Sequence, residues 1–239
     1  MTSIQIIDSV NYYDRTAKDF DQYSNSKINY LRAIDNLILK EVAPGKTIID
    51  VGSGSGTRIS RLVSFLQPKN LLCIDSSEEM IRKCLRYELP AIKYDISDKD
   101  LKKHGEFDAA LCLWNVLGHV NSTPARKLAL QYIYNNLNPD GRLIIDVNNR
   151  YNIKNYGLKN VVRNFLFDKL GLANGDFDLK LADDQAIITR VHVFTENELV
   201  RLLKETGFKI IKIYFFNYQS GNEEKNSRSG QIAIIARKP

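Results

Sequence analysis

Ile48-Ile49-Asp50-Val51-Gly52-Ser53-Gly54-Ser55-Gly56-Thr57 decides how this chain is read. Thr47–Val51 is apolar and β-branched, as a buried strand is, and it breaks into three alternating glycines. Ile59, Leu62, Val63 and Leu66 then recur at helical spacing. A strand, a tight turn and a helix in that order leave helix N–H groups open at the turn, where a carboxylate or phosphate is favoured. The glycines let the backbone adopt positive φ and come close to a ligand. Asp75 stands at the end of the next apolar run, Asn70–Ile74, nineteen residues after Gly56. A carboxylate there can accept hydrogen bonds from both hydroxyls of a ribose, so the two segments together point to a nucleoside-containing ligand. The spacing departs from the dinucleotide pattern G-x-G-x-x-G, because Thr57 holds the place of its third glycine.

Working outward, strand and helix patterns keep alternating. Ser76 with Glu79 has the form of a capping box, and Met80, Ile81, Cys84 and Leu85 make one apolar face. Glu78 and Glu79 open that helix while Arg82, Lys83 and Arg86 close it, which suits the helix dipole. Ala91–Tyr94 and Phe107–Trp114 read as strands, the second apolar almost throughout, as a strand covered on both faces should be. Thr123-Pro124 reads as an N-cap and first helical position before the stripe Ala125, Leu128, Ala129, Tyr132, Ile133. Pro139-Asp140-Gly141 is a turn ahead of the strand Arg142–Val147. Thr195 with Glu198 predicts another capped helix, ended by Gly207. Phe208–Tyr218 and Gln231–Arg237 then close the chain as a hairpin around a polar loop. The pattern predicts an α/β fold: a doubly wound, mostly parallel seven-stranded sheet with an antiparallel last strand. Met1–Ala43 carries an amphipathic helix (Ile28, Leu31, Ile38, Val42), whereas Tyr151–Asp184 is aromatic, Asn-rich and irregular. The expected organisation is one domain over 1–239. It comprises an N-terminal helical cover (1–44), a ligand-binding core (45–150), an insert after the fifth strand placed to cover the end of the sheet where ligands bind (151–184), and a C-terminal helix and hairpin (185–239).

Composition bounds the rest. The 239 residues are 44% hydrophobic and 26% charged, enough for a buried core and too few prolines and glycines for a fibrous or linker-dominated chain. No apolar run approaches the ~18–20 residues of a membrane span, and Met1–Asp8 lacks the form of a secretory signal. Cys73, Cys84 and Cys112 lie far apart, which suggests reduced buried thiols in a cytoplasmic setting and not a disulfide frame or zinc site. The net charge of +6 permits nucleic-acid binding without establishing it, because the basic residues are spread along the chain.

The glycine block resembles the first motif of the class I S-adenosylmethionine-dependent methyltransferases, whose core is Rossmann-like. Cys73-Ile74-Asp75-Ser76-Ser77-Glu78-Glu79-Met80 resembles that family's acidic second-strand motif, and Tyr94-Asp95-Ile96 its adenine-edge Asp. Phe107-Asp108, Leu137-Asn138-Pro139-Asp140-Gly141-Arg142-Leu143 and His192-Val193-Phe194-Thr195 through Gly207-Phe208 follow in the family's order. The resemblance covers roughly residues 45–150 and 186–239. It implies S-adenosylmethionine as cofactor and S-adenosylhomocysteine as product. By position it implies that Gly52, Ser53, Gly54 and Gly56 pack against the methionine part and ribose, and that Asp50 orients the turn or holds the amino group. Asp75 would bind the ribose, with Ser76 and Met80 near the adenine and Asp95 and Ile96 at its edge and face. Leu113, Trp114 and Asn115 would lie beside the sulfonium. Tyr12-Tyr13-Asp14 resembles the family's N-terminal segment in which a tyrosine, here Tyr13, closes over the cofactor. Arg32 is a weaker partner for its carboxylate.

Transfer from a sulfonium asks the enzyme mainly for alignment and exclusion of water. A hydroxyl acceptor also needs a base, and His119 in Trp114-Asn115-Val116-Leu117-Gly118-His119 is the candidate, although many relatives have two adjacent histidines where this chain has Gly118-His119. His192 borders the insert, and His104 reads as a surface residue. The motif (Asp/Asn)-Pro-Pro-(Tyr/Phe) of methyltransferases acting on adenine or glutamine is missing, and no metal is implied. Tyr151, Tyr156, Phe165, Phe167 and Phe177 either line an acceptor pocket or form a satellite core. The leading expectation is methyl transfer to nitrogen or oxygen of a small-molecule acceptor, with no membrane partner. The alternatives are an RNA or tRNA methyltransferase and a non-catalytic cofactor-binding partner subunit, with a dehydrogenase behind them.

Overall fold

A computed structural model describes residues 5–99, 103–172, 175–180 and 187–239. Parts of the expected cover (1–4) and insert (173–174 and 181–184), along with Lys102 beside His104, lie outside the described residues. The elements run β1 (Gln5–Ile7), α1 (Ser9–Thr16), α2 (Phe20–Asn25), α3 (Ile28–Glu41), β2 (Thr47–Val51), α4 (Thr57–Leu66), β3 (Asn70–Asp75), α5 (Glu78–Arg86), β4 (Ala91–Lys93) and β5 (Phe107–Cys112). A 3-10 turn (Val116–His119) precedes α6 (Thr123–Asn135), β6 (Leu137–Val147), α7 (Ile153–Tyr156), α8 (Leu158–Lys169), β7 (Asp176–Lys180) and β8 (Ile187–His192). The chain closes with α9 (Glu196–Glu205), β9 (Lys209–Phe216), β10 (Glu223–Glu224) and β11 (Gln231–Arg237).

The main sheet has the order β10-β9-β11-β6-β5-β2-β3-β4. β4, β3, β2, β5 and β6 are mutually parallel, and β11 is antiparallel to both β6 and β9. The expected architecture is therefore present with one strand more than seven: β10 adds a two-residue edge to β9. Alternation along β2 explains the two layers. Ile48 packs with α3 and α4 (Leu31, Ile34, Ile38, Ile59, Leu62), while Ile49 and Val51 pack on the other face with residues of α6 and α9 (Ala129, Ile133, Leu199, Leu203). All of these side chains are buried, each worth about 1.5–3 kcal/mol for the larger aliphatics.

Several boundaries differ from expectation. The insert is ordered where it is described, with α7, α8 and β7. β7 and the N-terminal β1 flank β8, antiparallel and parallel respectively, in a separate three-stranded sheet. β7 is exposed along its whole length; Phe177 and Leu179 alternate onto one face, but it is pairing with β8 that fixes it as a strand. The N-cap of α5 is Ser77, whose hydroxyl accepts from the Met80 amide, and not Ser76. The N-cap of α6 is Ser122, which moves Thr123-Pro124 into the first turn. β6 starts at Leu137 and runs through the expected turn, because Leu137 already pairs with Phe107 and Asp140 absorbs the bend at φ 62°. β5 ends at Cys112, and Trp114 and Asn115 turn out of the sheet in left-handed conformations (φ 55° and 64°). The capping box at Thr195 and Glu198 is formed as read. Among the described residues no helix is long and apolar enough to cross a membrane, and the three cysteines are buried free thiols.

Candidate active site

Parallel strands that share a direction deliver their C-terminal ends to one edge, and the loops beyond them enclose a cavity of about 330 Å³. The floor is the glycine turn. Gly52 and Ser53 donate their amides to the Ile74 carbonyl (2.8 and 3.0 Å), and the Ser53 hydroxyl donates to the Asp50 carbonyl (2.8 Å). Gly54, at φ 57°, donates its amide to Asp75 Oδ2 (2.9 Å), and the Ser77 amide donates to Asp75 Oδ1 (2.9 Å). A Cβ on Gly54 would come within 3.2 Å of the Phe20 ring, which closes the turn from above. Burial raises the Asp75 pKa against these amides. Asp50 lies deeper, and burial pushes it up to about 6 although the nearby Arg58 opposes the shift.

The lining brings together Tyr13, Asp50, Gly52, Ser53, Gly54, Asp75, Ser76, Met80, Asp95, Ile96, Leu113, Trp114 and His119 from five separate stretches of sequence. Two expected members are elsewhere. Gly56 is the N-cap of α4 at φ 76°, and a Cβ there would run into Leu89 and Cys84, so this glycine serves helix–helix packing. Asn115 is buried under the turn, donating to the His192 carbonyl (3.3 Å) and accepting from the Asn148 amide (2.9 Å). Arg32 is exposed on the outer face of α3, and Tyr12 packs edge-on against Tyr13 without reaching the lining. None of Tyr151, Tyr156, Phe165, Phe167 and Phe177 lines this cavity; Tyr151 donates to Asp168 (2.6 Å), and Phe165 and Phe167 are exposed. His104 is not a free surface residue, for its Nδ1 lies 2.8 Å from the Tyr132 hydroxyl.

Tyr13 and His119, 106 positions apart in sequence, meet at one end, 2.8 Å from hydroxyl to Nε2. Burial lowers His119 to about 4 and keeps the Tyr13 phenol protonated far above its usual range. His119 Nδ1 is buried with no partner among the described residues. Trp114 is held by its backbone amide on Asp146 Oδ1 (2.7 Å), by its indole N–H on the Tyr218 hydroxyl (3.1 Å) and by a stacked Tyr23 ring at 5.5 Å. Asp146 also accepts from the Tyr30 hydroxyl (2.6 Å), so a carboxylate in β6 sets the position of the turn after β5.

Sequence reasoning missed Asp8, Phe20, Arg58 and Asn121, all of which line the cavity. Arg58 had a signal, since a cation in the first turn of a helix that follows a glycine loop opposes the dipole and needs a reason. Its Nε donates to Asp35 (2.6 Å) and its Nη2 has no partner among the described residues. Asp8 begins the pattern Asp-Ser-Val-Asn and caps α1 by accepting from the Asn11 amide (2.8 Å). Among the described residues no set of His, Cys, Asp and Glu side chains could hold a metal ion.

Comparison with known proteins agrees with this geometry. A family model described as a methyltransferase domain matches residues 22–213. An uncharacterized protein of Methanocaldococcus jannaschii is 26% identical over 217 residues, 90% of this chain and 81% of its own. The glycine/sarcosine/dimethylglycine N-methyltransferase of Actinopolyspora halophila is 26% identical over 184 residues, 71% of this chain and 32% of its own. Among solved structures, Burkholderia thailandensis 1,6-didemethyltoxoflavin-N1-methyltransferase with bound 1,6-didemethyltoxoflavin and S-adenosylhomocysteine superposes with a TM-score of 0.61 at 18% identity, over 96% of this chain and 88% of that one.

Proposed function

Because the chain belongs to the methyltransferase-domain family and is an S-adenosylmethionine-dependent methyltransferase, we propose that it methylates nitrogen or oxygen of a small molecule. The observation that carries this is the enclosed cavity, whose far end is closed by the Tyr13–His119 pair and the N-terminal helix α1. S-adenosylmethionine supplies an activated methyl group on a charged sulfur. The chain's residues fit such a cofactor: two lining glycines leave room where side chains would collide with Val116 or Phe20, and Asp75 offers a carboxylate beside the turn. In this reading Asp75 accepts from the ribose hydroxyls with lone pairs not used by Gly54 and Ser77. Asp95 and Ile96 take the edge and face of the adenine, with Ser76 and Met80 beside it. Gly52, Ser53 and Gly54 follow the methionine part, near Asp50. Leu113 and Trp114 wall the sulfur end.

His119 and Tyr13 then face the acceptor. The ring is neutral at physiological pH, so one of its nitrogens keeps a lone pair that can take the proton of an acceptor hydroxyl as it attacks. An amine acceptor needs little more than alignment and a dry site, which α1 and Phe20 provide. The relative from Actinopolyspora halophila is named for N-methylation of glycine, sarcosine and dimethylglycine. Against recognition of RNA stands the engagement of four of its candidate basic residues: Lys154 pairs with Glu224, Arg201 with Glu205 and Arg237 with Asp140, and Lys238 donates to the Tyr134 and Leu137 carbonyls.

Calorimetry with S-adenosylhomocysteine and with NAD is the direct test. Tight binding of the first and none of the second is expected, with Asp75→Ala weakening it by roughly tenfold to a hundredfold, the worth of a charge-assisted hydrogen bond. Binding of NAD alone, or an Asp75→Ala affinity equal to the parent's in a folded variant, would overturn the reading.

A further inference from the structure

Beside the first cavity lies a second, of about 420 Å³, and Asp8 and Asn121 border both. Its wall joins the apolar strand β1 (Ile6, Ile7) to two guanidinium groups, Arg126 and Arg190. None of the residues assigned to the cofactor belongs to it alone. Three features give this cavity an affinity for an anion. It sits at the N-terminal end of α6, a thirteen-residue helix, with Asn121 and the N-cap Ser122 in its lining. That is the positive end of the helix dipole. Arg126, in the first turns of the helix, is only 3% exposed; its Nη2 donates to Asp176 (3.2 Å), and its Nε, closed off from the cavity, has no partner among the described residues. Burial also lowers the Arg126 pKa against the opposing fields of Asp176 and Glu198, so the carboxylates already present leave this buried cation under-compensated. A buried cation short of countercharge gains from one more anion.

We propose that the second cavity holds the carboxylate of the methyl acceptor, which is therefore a small organic acid whose body runs past Asp8 and Asn121 toward Tyr13 and His119. A planar monoanion matches a guanidinium edge. Asp8 and Asp176 in the same wall repel a phosphate dianion about twice as strongly as a monoanion. The acceptor role of the site rests on the methyl-donor reading of the first cavity.

The experiment uses the full chain saturated with S-adenosylhomocysteine, whose own binding is measured first. Acetate, glycine and phenylacetate are then titrated by calorimetry or ligand-detected NMR, each against its uncharged amide, with inorganic phosphate as a further probe. At least one acid should bind saturably and about tenfold or more tighter than its amide. Arg190→Ala, an exposed position that the fold tolerates, should weaken that acid several-fold and leave S-adenosylhomocysteine unaffected. Arg126→Lys, which keeps the charge and loses the fork, should weaken it further. Absence of binding by every acid, equal binding of acids and amides, a preference for phosphate, or an unaltered affinity in Arg190→Ala would each overturn the proposal while the donor reading stands. Failure of S-adenosylhomocysteine itself to bind would strike the donor reading, and the acceptor role with it.

Discussion

Burial holds the imidazole of His119 neutral down to about pH 4, whereas in the unfolded chain the same ring takes up its proton near 6.5. Between those values the unfolded state binds more protons. The stability present above pH 6.5 is therefore lost as the pH falls toward 4. From pH 7 to pH 5 this residue alone costs about 2 kcal/mol. Asp50 acts in the opposite sense. Its folded pKa of about 6 lies above its unfolded value, so its contribution is full at acid pH and is lost as the pH rises through 6. Urea denaturation of the parent and of His119→Gln at the two pH values cancels the Asp50 term. The variant should lose about 2 kcal/mol less than the parent on going to pH 5. An equal loss in both proteins would mean that the ring is solvated in the folded state.

At the scale of elements, the joint between α1 and α5 matters most for the cavity. Asp14 of α1 accepts from the Ser77 hydroxyl and from the Glu79 amide (3.3 Å), so the first turn of α5 is capped in part from outside its own segment. The capping box read at Ser76 and Glu79 is not formed: the cap is Ser77, its N3 residue is Met80, and only the hydroxyl half of a box forms. Nothing local marks the difference, because the partner that settles it lies 63 residues earlier. Asp14→Ala should cost about 1 kcal/mol, as loss of a helix cap does. It should also free α1, and hydrogen exchange of the amides of residues 9–16 should accelerate more than that of α4. Uniform acceleration through both helices would argue that α1 is not hinged on this contact.

At the scale of the molecule, one buried guanidinium ties the insert to the core. Arg150 donates to the Val193 carbonyl (2.9 Å), to Asp168 of α8 (2.6 Å) and to Glu198 of α9 (3.3 Å). Glu198 in turn lies 2.8 Å from His192, whose other nitrogen is 2.7 Å from Asp176 of β7. Removing the cation leaves two largely buried carboxylates without it, and Arg150→Ala should cost about 3 kcal/mol of unfolding free energy. A loss below 1 kcal/mol would show that α8 and β7 are held by packing and not by this network.

Much of the fold was written locally. The strand, glycine turn and helix around Gly52, the carboxylate at Asp75, and the antiparallel final strand follow from periodicity, turn chemistry and connection length, which neighbouring residues carry by themselves. Side chains at strand ends were legible for the same reason, since Asp75, Asp95 and Leu113 go wherever the parallel sheet takes them. The rest depended on contacts between distant segments. The pairing of β1 with β8 and β7, the meeting of Tyr13 with His119, and the choice of Arg58 over Arg32 as the cavity's cation have no local signature. Each is settled only when the chain closes long loops and the burial gained outweighs the entropy of closing them. Sequence alone therefore determined the floor of the site, and tertiary packing decided its roof, its charge and its neighbouring chamber.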